Sequence, residues 1–152
     1  MTTPRALPTL FGRYSLVLSE HSNLETTLQR LKDAARRFNA QHMAPSQELV
    51  LSALLTDLRA NLERHFQAEE SEDYFGALVR ESPALAPRVA ALRHQHGAML
   101  ATLDALRLLA FEAHAWSRFE RTVSVLIKTF NAHERSESLL IHGFLAGEDK
   151  TA

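Results

Sequence analysis

Cysteine is absent from this chain of 152 residues. Its absence excludes disulfides, thiolate metal sites and CxxC redox chemistry, so any metal must be held by histidine and carboxylate. It also fits a reducing compartment. Charge of one sign is lacking too: 17 basic against 18 acidic side chains give a formal net charge of -1. Nothing there attracts phosphate backbones or anionic lipid, so neither nucleic acid nor membrane is an expected partner. No apolar run approaches the roughly eighteen residues of a membrane span. The amino terminus, "MTTPRALPTLFGRYSLVLSEH", lacks the apolar stretch and small-residue cleavage site of a leader. The expectation is a soluble, cytoplasmic protein forming one domain over 1–152, with its core at about 12–145.

Glycine is scarce, with 5 residues, and strand signals are nearly missing. Punctuation falls at "HMAPSQ" (42–47), "ESPALAP" (81–87) and "EAHAWS" (112–117), dividing the chain into four helical stretches. Ser46 is a capping position for the second, and Pro83 or Pro87 a first-turn position for the third.

Apolar residues follow a seam whose steps alternate between three and four, as in helices packed at a shallow angle. The first helix reads Tyr14, Val17, His21, Leu24, Leu28, Leu31, Ala35, Phe38, and the second Leu51, Leu55, Leu58, Leu62, His65, Glu69. The third reads Val89, Leu92, His96, Met99, Leu103, Leu106, and the fourth Val123, Leu126, Phe130, His133, Glu137, Leu140. Four histidines and two glutamates are thus in register with the core. His21 lies 24 residues before Pro45 and His65 lies 20 after it; His96 lies 18 before His114 and His133 lies 19 after it. If each helix turns back on its predecessor, all four histidines share one layer of an all-α, up-down-up-down four-helix bundle. "SEHSNLETTLQRL" and "RHQHGAMLATLDAL" form a weak repeat when His21 is matched to His96, and each is followed by a His-x-x-x-Glu helix. The repeat implies a pseudo-two-fold site.

Residues four apart share a helical face, so His65 with Glu69 and His133 with Glu137 can each present an imidazole and a carboxylate to one point. A lone inward histidine is ordinarily a hydrogen-bonded core residue. Two buried carboxylates are different, because without partners they cost several kcal/mol each, and the layer supplies no Lys or Arg. Six such groups suit two metals a few ångströms apart, each with two imidazoles, bridged by Glu69 and Glu137. Iron fits this nitrogen and oxygen set, with manganese or zinc as other occupants. His94, about 200° round the helix from His96, is expected on the surface with His42, His114 and His142. Tyr14 is read as a core tyrosine, and Glu70, Glu72 and Asp73 as a solvated helix end.

The order His21, His65-x-x-x-Glu69, His96, His133-x-x-x-Glu137 resembles the hemerythrin-like, or HHE cation-binding, family of four-helix di-iron proteins. The pattern is similar to the di-iron domain of repair-of-iron-centres proteins. This resemblance implies two iron ions with an oxo or hydroxo bridge, reacting with dioxygen, nitric oxide or peroxide in oxidative or nitrosative stress. An oxidoreductase of nitric oxide or peroxide is one expectation; a module that stores, donates or senses iron without turnover is the other. Leu100 stands where oxygen-carrying members have a further histidine, and Ser138 where they have an acidic residue, which weighs against reversible oxygen transport. A structural bundle filled with zinc is a third outcome.

Overall fold

A computed structural model describes residues 6–38, 42–112 and 114–147. The ends of the expected domain, 1–5 and 148–152, lie outside the described residues. Among those residues the secondary structure is helical with no β-strand: α1 (Ala6–Arg37), α2 (Pro45–Glu69), α3 (Phe75–Glu81), α4 (Ala86–Leu109) and α5 (Trp116–Ala146), with a 3-10 turn at Pro83–Leu85 between α3 and α4. The four long helices correspond to the four expected stretches, and the short α3 is additional.

The helix boundaries follow from local chemistry. Pro45 begins α2, where its fixed φ suits the first turn and its missing N–H is not needed. The extended residue before it is Ala44, whose N–H donates to Gln47 Oε1 at 3.0 Å. Ser46 is therefore inside the first turn and not at the cap, because the chain enters the helix one proline earlier. Pro87 occupies the first turn of α4 and Pro83 opens the 3-10 turn, so the two prolines divide the roles considered for them. Gly147 ends α5 with φ 77°, a left-handed conformation for which glycine lacks a steric penalty, and its N–H reaches the carbonyls of Gly143 and Phe144.

Each long helix packs against two others: α1 against α2 and α5, and α4 against α2 and α5. At one end the Trp116 indole donates to the Ala35 carbonyl at 3.1 Å, tying the start of α5 to the last turns of α1. Every seam residue named above is buried except Phe38, which lies past the end of α1 and is part-buried against the larger cluster. The core has two apolar clusters, one running from Leu24 and Leu62 to Ala110 and Phe119, the other gathered around Tyr74, Phe75 and Phe144. The histidine layer separates them, since His21 falls between Val17 of one cluster and Leu24 of the other, and His96 between Leu92 and Met99.

The chain leaves α2 at Glu69 and turns through residues 70–74. There the N–H groups of Tyr74 and Gly76 both donate to the Ser71 carbonyl, at 3.2 and 3.0 Å. This turn buries Tyr74 and Phe75, and α3 adds Leu78. Glu72 and Asp73 stay in solvent, paired with Arg80 and Arg13. No described helix is long and apolar enough to cross a membrane.

Candidate metal centre

The structure brings all six predicted residues together: His21 from α1, His65 and Glu69 from α2, His96 from α4, His133 and Glu137 from α5. None is more than 6% exposed. Seam periodicity turns each inward, and the four-residue spacing stacks each glutamate one turn beyond its histidine.

Glu69 is the centre of the layer. Its Oε1 lies 2.6 Å from His65 Nε2 and 3.3 Å from His21 Nε2. Its Oε2 lies 2.8 Å from His96 Nε2 and 3.6 Å from His133 Nε2. Two groups able to hold a metal ion share this carboxylate, His21 with His65 and His96 with His133, the atoms of each lying within 4.8 Å of one another. Glu137 lies to one side, with Oε2 at 3.4 Å from His21 Nε2 and 4.0 Å from His133 Nε2. Its Oε1 accepts a 2.5 Å hydrogen bond from the buried Tyr74 hydroxyl.

The donor set fits cations. His65 Nε2, Glu69 Oε2 and Glu137 Oε2 are buried and make no hydrogen bond, so the 2.6 Å approach of His65 to Glu69 is contact without alignment. Buried polar atoms left this way are costly in a native fold, and bound cations would satisfy them. In the metal-free chain protons balance the charge. Burial alone would lower the His21 pKa, but Glu137 and Glu69 beside it push it up to about 10. His65 is raised in the same way, against its burial, chiefly by Glu69. Burial would raise Glu69, yet the histidines around it hold it well below the usual carboxylate range. Glu137 is raised, mainly by burial and then by Glu69, with His21 and Tyr74 opposing.

Each imidazole turns Nε2 inward and Nδ1 outward to a polar side chain of the neighbouring helix. His65 Nδ1 meets Glu20 Oε2 at 2.6 Å, and His96 Nδ1 meets Glu70 Oε1 at 2.7 Å. His133 Nδ1 meets Gln95 Oε1 at 2.8 Å, and His21 Nδ1 lies 3.3 Å from Glu134 Oε1. The hydrogen-bonded partners of His65, His96 and His133 fix the tautomer that leaves Nε2 free to bind a metal, whereas Glu134 Oε1 makes no hydrogen bond and acts on His21 by proximity alone. Burial drives the Glu134 pKa up to about 7, with His21 opposing and Glu25 adding to the rise.

These braces and Tyr74 were not read from the sequence. The braces did leave a signal: Glu20 precedes His21, Gln95 precedes His96, Glu70 follows Glu69 and Glu134 follows His133. A residue next to an inward one is about 100° round the helix, where it faces the neighbour. Tyr74 left none, because its position depends on the turn after α2. Glu70, expected in solvent with Glu72 and Asp73, keeps partial exposure while holding His96. His42, His94, His114 and His142 are exposed, as expected. Tyr14 is a core residue whose hydroxyl lies 3.5 Å from Ser138 Oγ and 3.4 Å from His142 Nε2. Aromatic rings wall the layer: Phe66 stacks on His96 at 4.0 Å between centroids, and Phe130 meets His21 edge-on at 6.2 Å.

A helical fold with a buried layer of histidines and carboxylates has the donors to hold metal ions. The hemerythrin HHE cation-binding domain matches residues 13–145, and the chain belongs to that family. No curated protein and no solved structure matches it.

Proposed function

We propose that the layer holds two metal ions, iron in the working protein, one between His21 and His65 and the other between His96 and His133, with Glu69 and Glu137 bridging. One observation carries this reading: the two oxygens of Glu69 face different histidine pairs. A single cation would leave one pair and one carboxylate oxygen unsatisfied. The ring of helix contacts and the Trp116 tie between α5 and α1 support an up-down-up-down four-helix bundle, with α3 as an insertion in a single domain.

A di-iron centre of this kind supplies redox chemistry toward dioxygen, nitric oxide or peroxide, and we assign the protein to an oxidative or nitrosative stress response in the cytoplasm. The chain's own residues set the conditions for it. The Nδ1 partners hold the imidazoles with Nε2 inward, and Phe66, Phe75 and Phe130 exclude water from the layer. Tyr74 keeps its proton, its pKa raised by burial and by Glu137, and so remains a donor to Glu137 Oε1. Leu100, part-buried against the larger apolar cluster, occupies the position of the carriers' extra histidine.

Iron handling without turnover is the second reading. A groove between α1 and α5, lined by His21, Glu25, Glu134 and Arg135, favours it by giving a cation an opening to the layer at His21. Anaerobic reconstitution with ferrous iron followed by elemental analysis tests the common ground: two ions per chain are expected, and one or none overturns the dinuclear reading. Rapid reaction with nitric oxide and oxidation in air without reversible oxygenation then support redox function. Inertness toward both, with iron readily lost to a chelator, supports iron handling.

A further inference from the structure

The sequence repeat pairs α1 and α2 with α4 and α5, so that His21 corresponds to His96 and His65-x-x-x-Glu69 to His133-x-x-x-Glu137. Under this correspondence Glu20 and Gln95 are equivalent, each preceding the histidine of its own helix and each meeting the Nδ1 of the histidine on the next. The geometry is nearly the same, 2.6 Å for Glu20 with His65 and 2.8 Å for Gln95 with His133. The chemistry is not, because one acceptor is a carboxylate and the other a neutral amide.

The remaining equivalent positions deepen the difference. Glu134 follows His133 and lies 3.3 Å from His21 Nδ1. Its counterpart Phe66 follows His65 and covers the face of His96 with its rings inclined by 7°. Both imidazoles of the His21 and His65 pair therefore face carboxylates. In the other pair only His96 does, through Glu70.

An imidazole whose Nδ1–H donates to a carboxylate is a stronger Lewis base at Nε2 than one donating to an amide, and the added negative charge offsets that of the cation. We infer that the two cation positions are unequal, with the His21 and His65 position the tighter, and that Gln95 is the positioning residue that keeps the His96 and His133 position weak. The inference rests on the two-cation reading and breaks its apparent two-fold symmetry.

Equilibrium competition for Co(II) between the whole chain and a chromophoric chelator tests it, with the Co(II) ligand-field spectrum as a second readout. Two stepwise constants are read for the wild type, Gln95→Glu and Glu20→Gln. Both substitutions are isosteric at part-exposed or exposed positions, and circular dichroism checks the fold. Partners of metal-bound histidines change affinity by about 10- to 100-fold. Gln95→Glu is accordingly expected to tighten the second step by about fivefold or more and to alter the first by no more than about twofold. Glu20→Gln is expected to weaken the first step by about fivefold or more, with the second changed by about twofold at most.

Equal positions give the reverse. Gln95→Glu would then tighten the first step and Glu20→Gln would weaken the second, because the first ion is free to choose the better position. Either that reversal or constants unmoved by both variants overturns the inference and leaves the two-cation reading standing. A stoichiometry of one or no Co(II) overturns the two-cation reading itself and the inference with it.

Discussion

The two apolar clusters on either side of the histidine layer are built by different rules. The larger draws on all four long helices, with leucines such as Leu28, Leu58, Leu103 and Leu126 repeating on a regular seam. The smaller contains no residue of α2; Tyr74, Phe75 and Leu78 take its place against α1, α4 and α5. The first needs only helical periodicity. The second needs the chain to stop a helix at Glu69, turn, and re-enter as α3. The layer lies where the regular packing ends, which puts Glu69 in the last turn of α2 and lets the tyrosine that follows turn back onto Glu137. An uninterrupted α2 would carry Tyr74 more than a turn beyond Glu69, out of reach of the layer.

Glu69→Ala should give the largest effect. Facing both histidine pairs, Glu69 is expected to be required at both positions, and its loss should empty them in elemental analysis after ferrous reconstitution. The variant should also lose the stabilisation that comes from bound metal, about 4 kcal/mol if the free metal is a thousand times its Kd. Two ions retained in this variant would show that the layer does not depend on the end of α2.

Paired truncations on the two sides come next. Leu58→Ala in the larger cluster should cost about 2–5 kcal/mol in denaturant unfolding while the metal content stays at wild type. Phe75→Ala in the smaller cluster should cost about 3–5 kcal/mol and also weaken metal binding, because the ring is stacked on His96 with 5.9 Å between centroids. Equal metal loss in both variants would erase the distinction between regular and irregular sides.

Tyr74→Phe is subtler. It leaves Glu137 Oε1 without its buried donor, a cost of about 1–3 kcal/mol, and should alter the electronic spectrum of the loaded protein while two ions still bind. An unchanged spectrum would mean that the phenol only fills space.

Acid and base should act oppositely on the metal-free and loaded chains. The His21 pKa rises on folding from 6.5 to about 10 in the metal-free protein, so its contribution to stability is complete below 6.5 and lost as pH climbs through 10. Glu134, raised from 4.5 to about 7, acts in the same direction at lower pH. Metal-free stability should therefore fall between pH 6.5 and 10, whereas metal affinity should grow as protons leave the imidazoles. A metal-free stability that rises over this interval would contradict the proton balance assigned to the layer. The smallest effect belongs to His94→Ala, which lies on the exposed face and should shift stability by less than about 0.5 kcal/mol with two ions bound. His96→Ala, two residues away, should lose metal.

The amino-acid sequence by itself determined the four long helices, the seam that each buries and the six residues that meet in the layer. Those features repeat along one helix at a time, so spacing alone reveals them: Leu62, His65 and Glu69 share a face whatever lies opposite. The absence of cysteine fixed the donor chemistry in the same way. What tertiary structure alone decided is every relation between helices. That Glu69 stands between two histidine pairs while Glu137 is held aside by Tyr74, that Glu20 serves His65 and not its own neighbour His21, and that Gln95 stands opposite a pseudo-symmetric carboxylate all depend on which helix packs beside which. The turn at 70–74 belongs with them. Its polar residues read as an ordinary solvated helix end, and only the apolar space left between α1, α4 and α5 once α2 has stopped draws Tyr74 and Phe75 inward, because burying two aromatic rings there outweighs continuing the helix into solvent.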